Sequence, residues 1–525
     1  MPTAMPRFFN TAGPCDPRFH YMLPPERRLP EVRRLIEQRL YFVVHAPRQS
    51  GKTTFFRTLA PALTAAGRYA ALLASCEVAQ AAGPNVERGI AALLDALRQS
   101  ALIHLPEELR PPPADPAVPA ETRLLDLLSR WSRQCPRPVV LFLDEIDSLV
   151  DDVLISALRQ IRSGYPERPA SFPQSVALVG LRDVRDYRLS VRPEEQTLGT
   201  ASPFNIKVES LTLPNFTTEE VAELYDQHTV ETGQVFTPEA KRLACELSGG
   251  HPWLVNALAE QAISGEVSDP EHAVEARHIE AAKEALIQRR DTHLDSLIDR
   301  LREPRVRRII EPILAGEALS PEVLDDDIQF VVDLGLVIPA RQGLAIANPI
   351  YREVIPRALT SVLEHSLAVP RPSYLSKEGR LRFDLLLDDF RAFWCQNAEA
   401  FLAQAPYSEA AAQLVFMAFL QKVVNGGGFI DREYAVGSGR IDLCVRWPFA
   451  GGLERWAAEL KVWRDRRPDP LNEGLSQLAG YLARLGLDRG TLLLFDARTV
   501  APPLPERCSS FEADHAGCRI TVVRL

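Results

Sequence analysis

None of the eight cysteines stands in a C-x-x-C pair, so neither a zinc cluster nor a disulfide framework is indicated. No apolar run reaches the length of about 18 residues that a transmembrane helix needs. The opening MPTAMPRFFNTAG lacks a basic stretch followed by an apolar one, so a cytoplasmic protein with no membrane partner is the expectation. An excess of positive charge is missing as well. The chain carries a net charge of −9 at pH 7 with a pI near 5.7. No global basic field draws it to nucleic acid, and any such contact must come from a local patch. What is present is an ordinary globular composition, 46% hydrophobic and 25% charged over 525 residues, enough for about three to four domains.

Buried strands are predicted at 41–46 and 68–77, within 138–149, and at 175–181 and 204–211, separated by segments of helical spacing. Strands alternating with helices argue for an α/β class protein, a parallel sheet covered on both faces. ELRPPPADPAVPAE (108–121) is an exposed loop, because no helix or central strand tolerates its prolines. From about residue 215 the pattern turns helical. Residues 301–360 read as helices followed by a short hairpin, and the proline-bearing LAVPRPS (367–373) marks a boundary.

After the first strand comes Ala46-Pro47-Arg48-Gln49-Ser50-Gly51-Lys52-Thr53-Thr54. This is G-x-x-x-x-G-K-[ST] with Ala in place of the first Gly, set between a strand and a helix. Backbone N–H groups of such a loop, and of the helix start, point at phosphate oxygens. Gly51 lets the backbone come close, Lys52 reaches the β- and γ-phosphates, and the Thr53 hydroxyl ligates Mg²⁺. The alternative is a chance GKT in a surface turn. Downstream, Leu141-Phe142-Leu143-Asp144-Glu145 carries a buried strand into two acids at its C-terminal end, where open parallel sheets bind ligands. Asp144 would hold Mg²⁺ through water, and Glu145 would polarise the attacking water. An acidic pair at a strand end is otherwise solvated surface. At the end of the fourth strand, Arg182 would sense the γ-phosphate, or else be a surface arginine or a structural ion pair. Arg159 and Arg162 would face a neighbouring subunit, or a solvated surface.

Residues 15–60 and 138–256 resemble the AAA-like, archaeal-ATPase-type and STAND-related P-loop ATPases. FVVHAPRQSGKTT, LFLDEID, VGLRD and Gly249-Gly250-His251-Pro252-Trp253 carry the likeness. The resemblance implies a P-loop NTPase sheet over 1–212, of the subclass that inserts a strand between the two motifs and carries a catalytic Glu. It implies a helical lid over 213–300, whose Pro252 begins a helix that closes over the nucleotide, and a winged helix over 301–366. It also places His20, Tyr21, Pro24 and Pro25 near the adenine. A proline-rich arm needs no ligand, and Pro252 also fits an ordinary helix start. The cofactors implied are ATP and Mg²⁺.

The segment 375–525 holds a second constellation. Gly439-Arg440-Ile441-Asp442 opens a strand, and Ala458-Glu459-Leu460-Lys461 lies on the next. Alternation puts Glu459 and Lys461 on one strand face. Two carboxylates and a lysine suit phosphodiester hydrolysis: the acids hold Mg²⁺ with several waters, and the lysine orients water or neutralises phosphate. The D-x(16)-E-L-K pattern resembles the PD-(D/E)xK nuclease superfamily, an α/β restriction-endonuclease-like fold. The resemblance adds Glu409 as an acidic metal-site residue, and Gln477 and Tyr481 as a QxxxY pattern; Mn²⁺ is the alternative to Mg²⁺ at the site. The alternative is a structural Glu459–Lys461 salt bridge, and degenerate members of the superfamily have lost catalysis. Arg464, Arg466 and Arg467 would grip a nucleic-acid backbone or form a solvated loop. Arg305, Arg307 and Arg308 offer the nearest basic patch on the winged helix, or another solvated face.

The expected function is an ATPase whose nucleotide state controls a Mg²⁺-dependent nuclease acting on nucleic acid, DNA in preference to RNA. Such a pairing suits antiphage defence or mobile-element biology on architecture alone. The alternatives are an ATP-dependent regulatory switch with a silent nuclease-like domain, and a homo-oligomeric motor acting on DNA.

Overall fold

The computed structural model describes residues 7–182, 207–289, 292–314, 319, 326–340, 343–366, 374–404, 412, 415–417, 419–420, 429–436 and 439–525. The chain divides into two compact units. One comprises Met1–His293, Glu322–Ile338 and Ala347–Pro349; the other comprises Leu294–Pro321, Pro339–Ile346 and Ile350–Leu525. Among the described residues no helix is long and apolar enough to cross a membrane.

The first unit is an α/β layer structure. Strands β1 (Tyr41–His45), β2 (Ala70–Ser75), β3 (Val139–Asp144), β4 (Ser175–Gly180) and β5 (Lys207–Thr212) form a parallel sheet in the order β2-β3-β4-β1-β5. Every residue of β3 and β4 is buried, as expected of strands covered on both faces. Alternation sorts the side chains. Val43, Leu72, Leu141, Leu143 and Leu178 pack with α3 (Val86–His104), α4 (Ala120–Gln134) and α5 (Asp152–Gly164). Phe42, Val44, Val140, Phe142 and Val179 pack with α1 (Glu31–Glu37) and α2 (Lys52–Ala65). The strand lying between β1 and β3 is β4; β2, which falls between the two motifs in sequence, sits at the sheet edge.

Helices α6 (Thr218–Thr232), α7 (Pro238–Ser248), α8 (Pro252–Gln261) and α9 (Ala276–Arg289) follow. A reciprocal Thr217–Glu220 capping box starts α6. The N-terminal arm is held against these helices: Phe9 packs on Tyr225 and Phe236, and Trp253 Nε1 donates to Thr11 O at 2.8 Å. Next in sequence come α10 (Thr292–Arg300), α11 (Pro304–Leu314), α12 (Asp326–Asp333), β6 (Val337–Ala340), β7 (Gly343–Ile346), α13 (Pro349–Ser366) and α14 (Phe383–Gln404).

In the second unit β8 (Phe429–Val436), β9 (Gly439–Phe449), β10 (Gly452–Trp463), β11 (Arg489–Asp496), β12 (Ser509–His515) and β13 (Cys518–Arg524) form a mixed sheet in the order β12-β13-β11-β10-β9-β8. β8, β9 and β10 form an antiparallel meander, whereas β10, β11 and β13 run parallel. Parallel neighbours need a crossover; α15 (Leu471–Leu485) supplies it between β10 and β11. Its Leu475, Leu478 and Leu482 bury against Leu492, Leu494 and Val522. On the other face, Trp394 of α14 meets Phe495 with ring centroids 5.1 Å apart.

Candidate functional sites at two sheet edges

The first site lies at the C-terminal ends of β1, β2 and β3. Gly51, in the left-handed region at φ +94°, turns the chain into α2, a conformation natural only to glycine. The first turn of α2 therefore offers N–H groups at the strand end. Lys52 Nζ donates to the carbonyls of Ala46 and Pro47 at 2.6 and 2.7 Å, arching across its own loop. Burial pulls its pKa down to about 8, against the pull of the nearby acids. Thr53 Oγ1 donates to Asp144 Oδ2 at 2.7 Å. Burial raises the Asp144 pKa, which the Thr53 bond opposes. Glu145 adopts φ +54°, costly for a side-chain-bearing residue. Its carboxylate accepts from Ser75 Oγ at 2.7 Å, and burial raises its pKa.

Two other segments close on the loop. His251, 4% exposed, donates from Nε2 to Arg48 O at 3.1 Å, and burial lowers its pKa to about 4, so it is neutral at pH 7. Gly249 and Gly250 both have positive φ, and Pro252 opens α8. A Cβ on Gly250 would strike the Phe216 carbonyl. Gly335, at the end of α12, lies so close to the loop that a Cβ there would stand 2.6 Å from Pro47 Cγ. A cleft beside Gly51 and Thr54 is walled by Tyr21, Pro25, Arg28, Phe216 and Pro252. Arg28 donates to Ser50 O at 3.5 Å and to Pro214 O, stacks on Phe216, and has its pKa lowered to about 10 by burial. The Thr54 hydroxyl accepts from Cys15 N at 3.0 Å. His20 is not among the wall residues; its Nδ1 accepts from Asp16 N at 2.8 Å.

Arg182, which follows β4, faces a buried acid. Its Nε lies 3.3 Å from Asp333 Oδ2, with side chains 7% and 4% exposed, and its guanidinium covers Phe330 at 4.9 Å. Gln329 Nε2 donates to the other Asp333 oxygen at 2.8 Å. The structural ion pair, one of the alternatives for this residue, describes its position. Arg159 and Arg162 lie exposed on α5. Ser75, Arg28 and Asp333 carry no sequence motif. Ser75 falls inside the strand expected at 68–77, with no sign in the sequence that its hydroxyl reaches Glu145.

The second site joins β9, β10 and α15. Asp442 Oδ2 accepts from Leu460 N at 2.7 Å, and Lys461 Nζ donates to Glu459 Oε1 at 2.9 Å. Glu459 is 3% exposed. Burial, reinforced by the charge of Asp442, raises its pKa to about 7 in spite of Lys461. Burial pulls the Lys461 pKa down, but Glu459 and Asp442 outweigh it and the net shift is upward. A Cβ on Gly474 would lie 2.7 Å from Leu492 and 3.4 Å from Lys461 Cγ, so this glycine lets α15 cross the lysine stem.

Two buried oxygens here, Glu459 Oε2 and Gln477 Oε1, have no hydrogen-bond partner among the described residues. A buried carboxylate oxygen without a donor is costly, and a hard cation beside Asp442 would satisfy it. Among the described residues no group of three or more His, Cys, Asp or Glu is placed to hold a metal. Asp442 and Glu459 would suit an ion such as Mg²⁺, which takes one or two carboxylates and keeps its waters. Glu409 lies outside the described residues.

No protein-family model and no curated protein matches this chain. Among solved structures it is similar to the Walker-type ATPase paby2304 of Pyrococcus abyssi, at 13% identity and a TM-score of 0.46, covering 66% of this chain and 99% of that one. It is also similar to the ORC2 protein of Aeropyrum pernix in ADPNP and ADP complexes, at 13% identity and a TM-score of 0.41, covering 65% and 95%. A third similar structure is the RuvB Holliday junction branch migration motor of Thermotoga maritima, at 13% identity and a TM-score of 0.35, covering 63% and 92%.

Proposed function

We propose that the chain binds and hydrolyses ATP with Mg²⁺ at the first site, and that a Mg²⁺-dependent nuclease-like centre at the second acts on nucleic acid under its control. The observation that carries the reading is the 2.7 Å approach of Thr53 Oγ1 to Asp144 Oδ2 across two strand ends, beside a helix start and a half-buried lysine. N–H groups of Gly51–Thr54 and Lys52 would hold the phosphates. Thr53 and Asp144 would hold Mg²⁺, which supplies charge neutralisation for the γ-phosphoryl group. Glu145, steered by Ser75, would accept the proton of the attacking water. Pro252 and His251 would bring the helical lid against the loop, and residues 301–366 are assigned to a winged helix.

At the second site Asp442 and Glu459 would hold Mg²⁺, or Mn²⁺ in its place, and the ion would supply an activated water there. Lys461 would neutralise charge on the phosphate. DNA is favoured over RNA as substrate. A cytoplasmic setting and self-association through Arg159 and Arg162 complete the proposal. The test is a panel of single- and double-stranded DNA and RNA with and without ATP and Mn²⁺. Cutting that disappears in Glu459→Ala supports the nuclease; phosphate release that disappears in Lys52→Ala supports the ATPase. A second reading, an ATP-dependent switch with a silent nuclease-like domain, draws on the pairing of only two carboxylates among the described residues. ATP binding without cleavage of any nucleic acid would favour it.

A further inference from the structure

Glu459, Lys461 and Trp463 alternate onto one face of β10. Trp463 therefore lies about 6.6 Å along the strand beyond Lys461, at roughly 3.3 Å per residue. Its Nε1–H donates to Arg467 O at 2.9 Å, and Arg467 N donates to Arg464 O at 3.2 Å. These bonds fold residues 464–467 into a tight turn with Arg466 at φ +62°. For a residue with a Cβ that region costs about 1 kcal/mol and persists where neighbours enforce it.

Trp463 is fixed in turn. The Arg498 guanidinium stacks on it at 3.4 Å and is itself clamped by Asp496 at 2.6 and 2.8 Å. Arg524, 5.9 Å from the same ring, is held by Asp469 at 2.6 Å. Asp465, the acid inside the turn, accepts from Thr499 N at 3.2 Å. The arginines beneath the indole are thus neutralised, and the turn's own carboxylate is occupied. Arg466 and Arg467 remain exposed and meet no carboxylate among the described residues.

We propose that the turn 464–467, braced by Trp463, is a preformed grip for the phosphodiester backbone of a nucleic-acid strand entering the Asp442–Glu459–Lys461 centre. Arg466 and Arg467 each take a phosphate, and Trp463 is a positioning residue. The chain's net charge of −9 makes a local cationic turn a built feature rather than a sample of a basic surface. The contact is sequence-independent, because phosphates carry no base identity. The inference rests on the nuclease reading for its location, but not for its test.

The test is anisotropy of a short fluorescein-labelled DNA duplex with the full chain in EDTA, from about 50 to 200 mM salt. A matching RNA duplex in parallel identifies the strand type. Arg466→Ala/Arg467→Ala is expected to flatten the slope of log K against log salt by about 0.9 per lost contact, about 1.8 in all, and to weaken binding roughly tenfold. Trp463→Phe keeps a ring but removes the donor to Arg467. It is expected to flatten the slope in the same direction with every charge still present. A double variant with the wild-type slope, or a wild-type chain that binds neither duplex, overturns the grip. If that slope is unchanged while Glu459→Ala abolishes Mn²⁺-dependent cutting, the grip falls and the nuclease reading stands. If the slope flattens in a chain that never cuts, the grip stands and the nuclease reading falls.

Discussion

Thr53 Oγ1 donates to Asp144 Oδ2 at 2.7 Å, joining the first turn of α2 to the end of β3. The bond crosses from β1's loop to a strand that is not β1's neighbour, because β4 lies between them. It fixes a hydroxyl and a carboxylate beside Lys52, whose burial leaves it with a pKa of about 8. Lys52→Ala is expected to weaken ATP binding roughly 10- to 100-fold, the loss of charge-assisted bonds of about 1.5–3 kcal/mol. A fluorescent-nucleotide titration reads this, with circular dichroism showing the fold retained. Unchanged affinity would refute the phosphate-loop assignment.

Glu145 is held by Ser75 but contributes no bond to Lys52 or Thr53. Glu145→Gln should therefore bind ATP like the parent while hydrolysing it about 100-fold more slowly, or slower still, as expected for loss of a general base. Single-turnover phosphate release measures this. Parental turnover would remove Glu145 from the chemistry.

Asp333→Ala takes away the carboxylate facing buried Arg182. Truncating one side of a buried pair destabilises by about 3–5 kcal/mol. The midpoint of urea unfolding should fall accordingly, and less in Asp333→Asn, which keeps a hydrogen-bond acceptor. A midpoint equal to the parent's would mean that the pair does not anchor α12.

Glu459 predicts a pH dependence. Its folded pKa of about 7 lies above the ordinary value of 4.5, so the folded state holds the proton more tightly. Stability from this group is complete below about pH 4.5 and is lost as pH rises through about 7. In EDTA, the parent should lose roughly 1–3 kcal/mol across that window relative to Glu459→Gln. Parallel stability curves for the two proteins would contradict the burial of Glu459 beside the charge of Asp442.

The five parallel strands lie at positions readable from their apolar runs, and the acids of β3 fall at its C-terminal end as the run predicts. Their lateral order was not readable: periodicity marks a strand but says nothing of its neighbours. The glycine–lysine–threonine turn announced itself because phosphate binding constrains consecutive residues. Asp333 and His251 did not, because their contacts to Arg182 and Arg48 span 151 and 203 positions. His251 was visible only inside a glycine–proline pattern, with no sign that its ring reaches a loop carbonyl. Trp463 carries no motif; its indole bond to Arg467 needs the turn's three-dimensional course.

The N-terminal arm contributes Tyr21, Pro25 and Arg28 to the wall beside Gly51, and it is fastened through Thr11 and Cys15. On the proposed reading, contact with the base and capture of the triphosphate would lie in separate stretches of polypeptide. Replacing Tyr21 and Pro25 would then alter the wall on which a base would rest while leaving the glycine turn untouched, so base selectivity and triphosphate affinity would change independently.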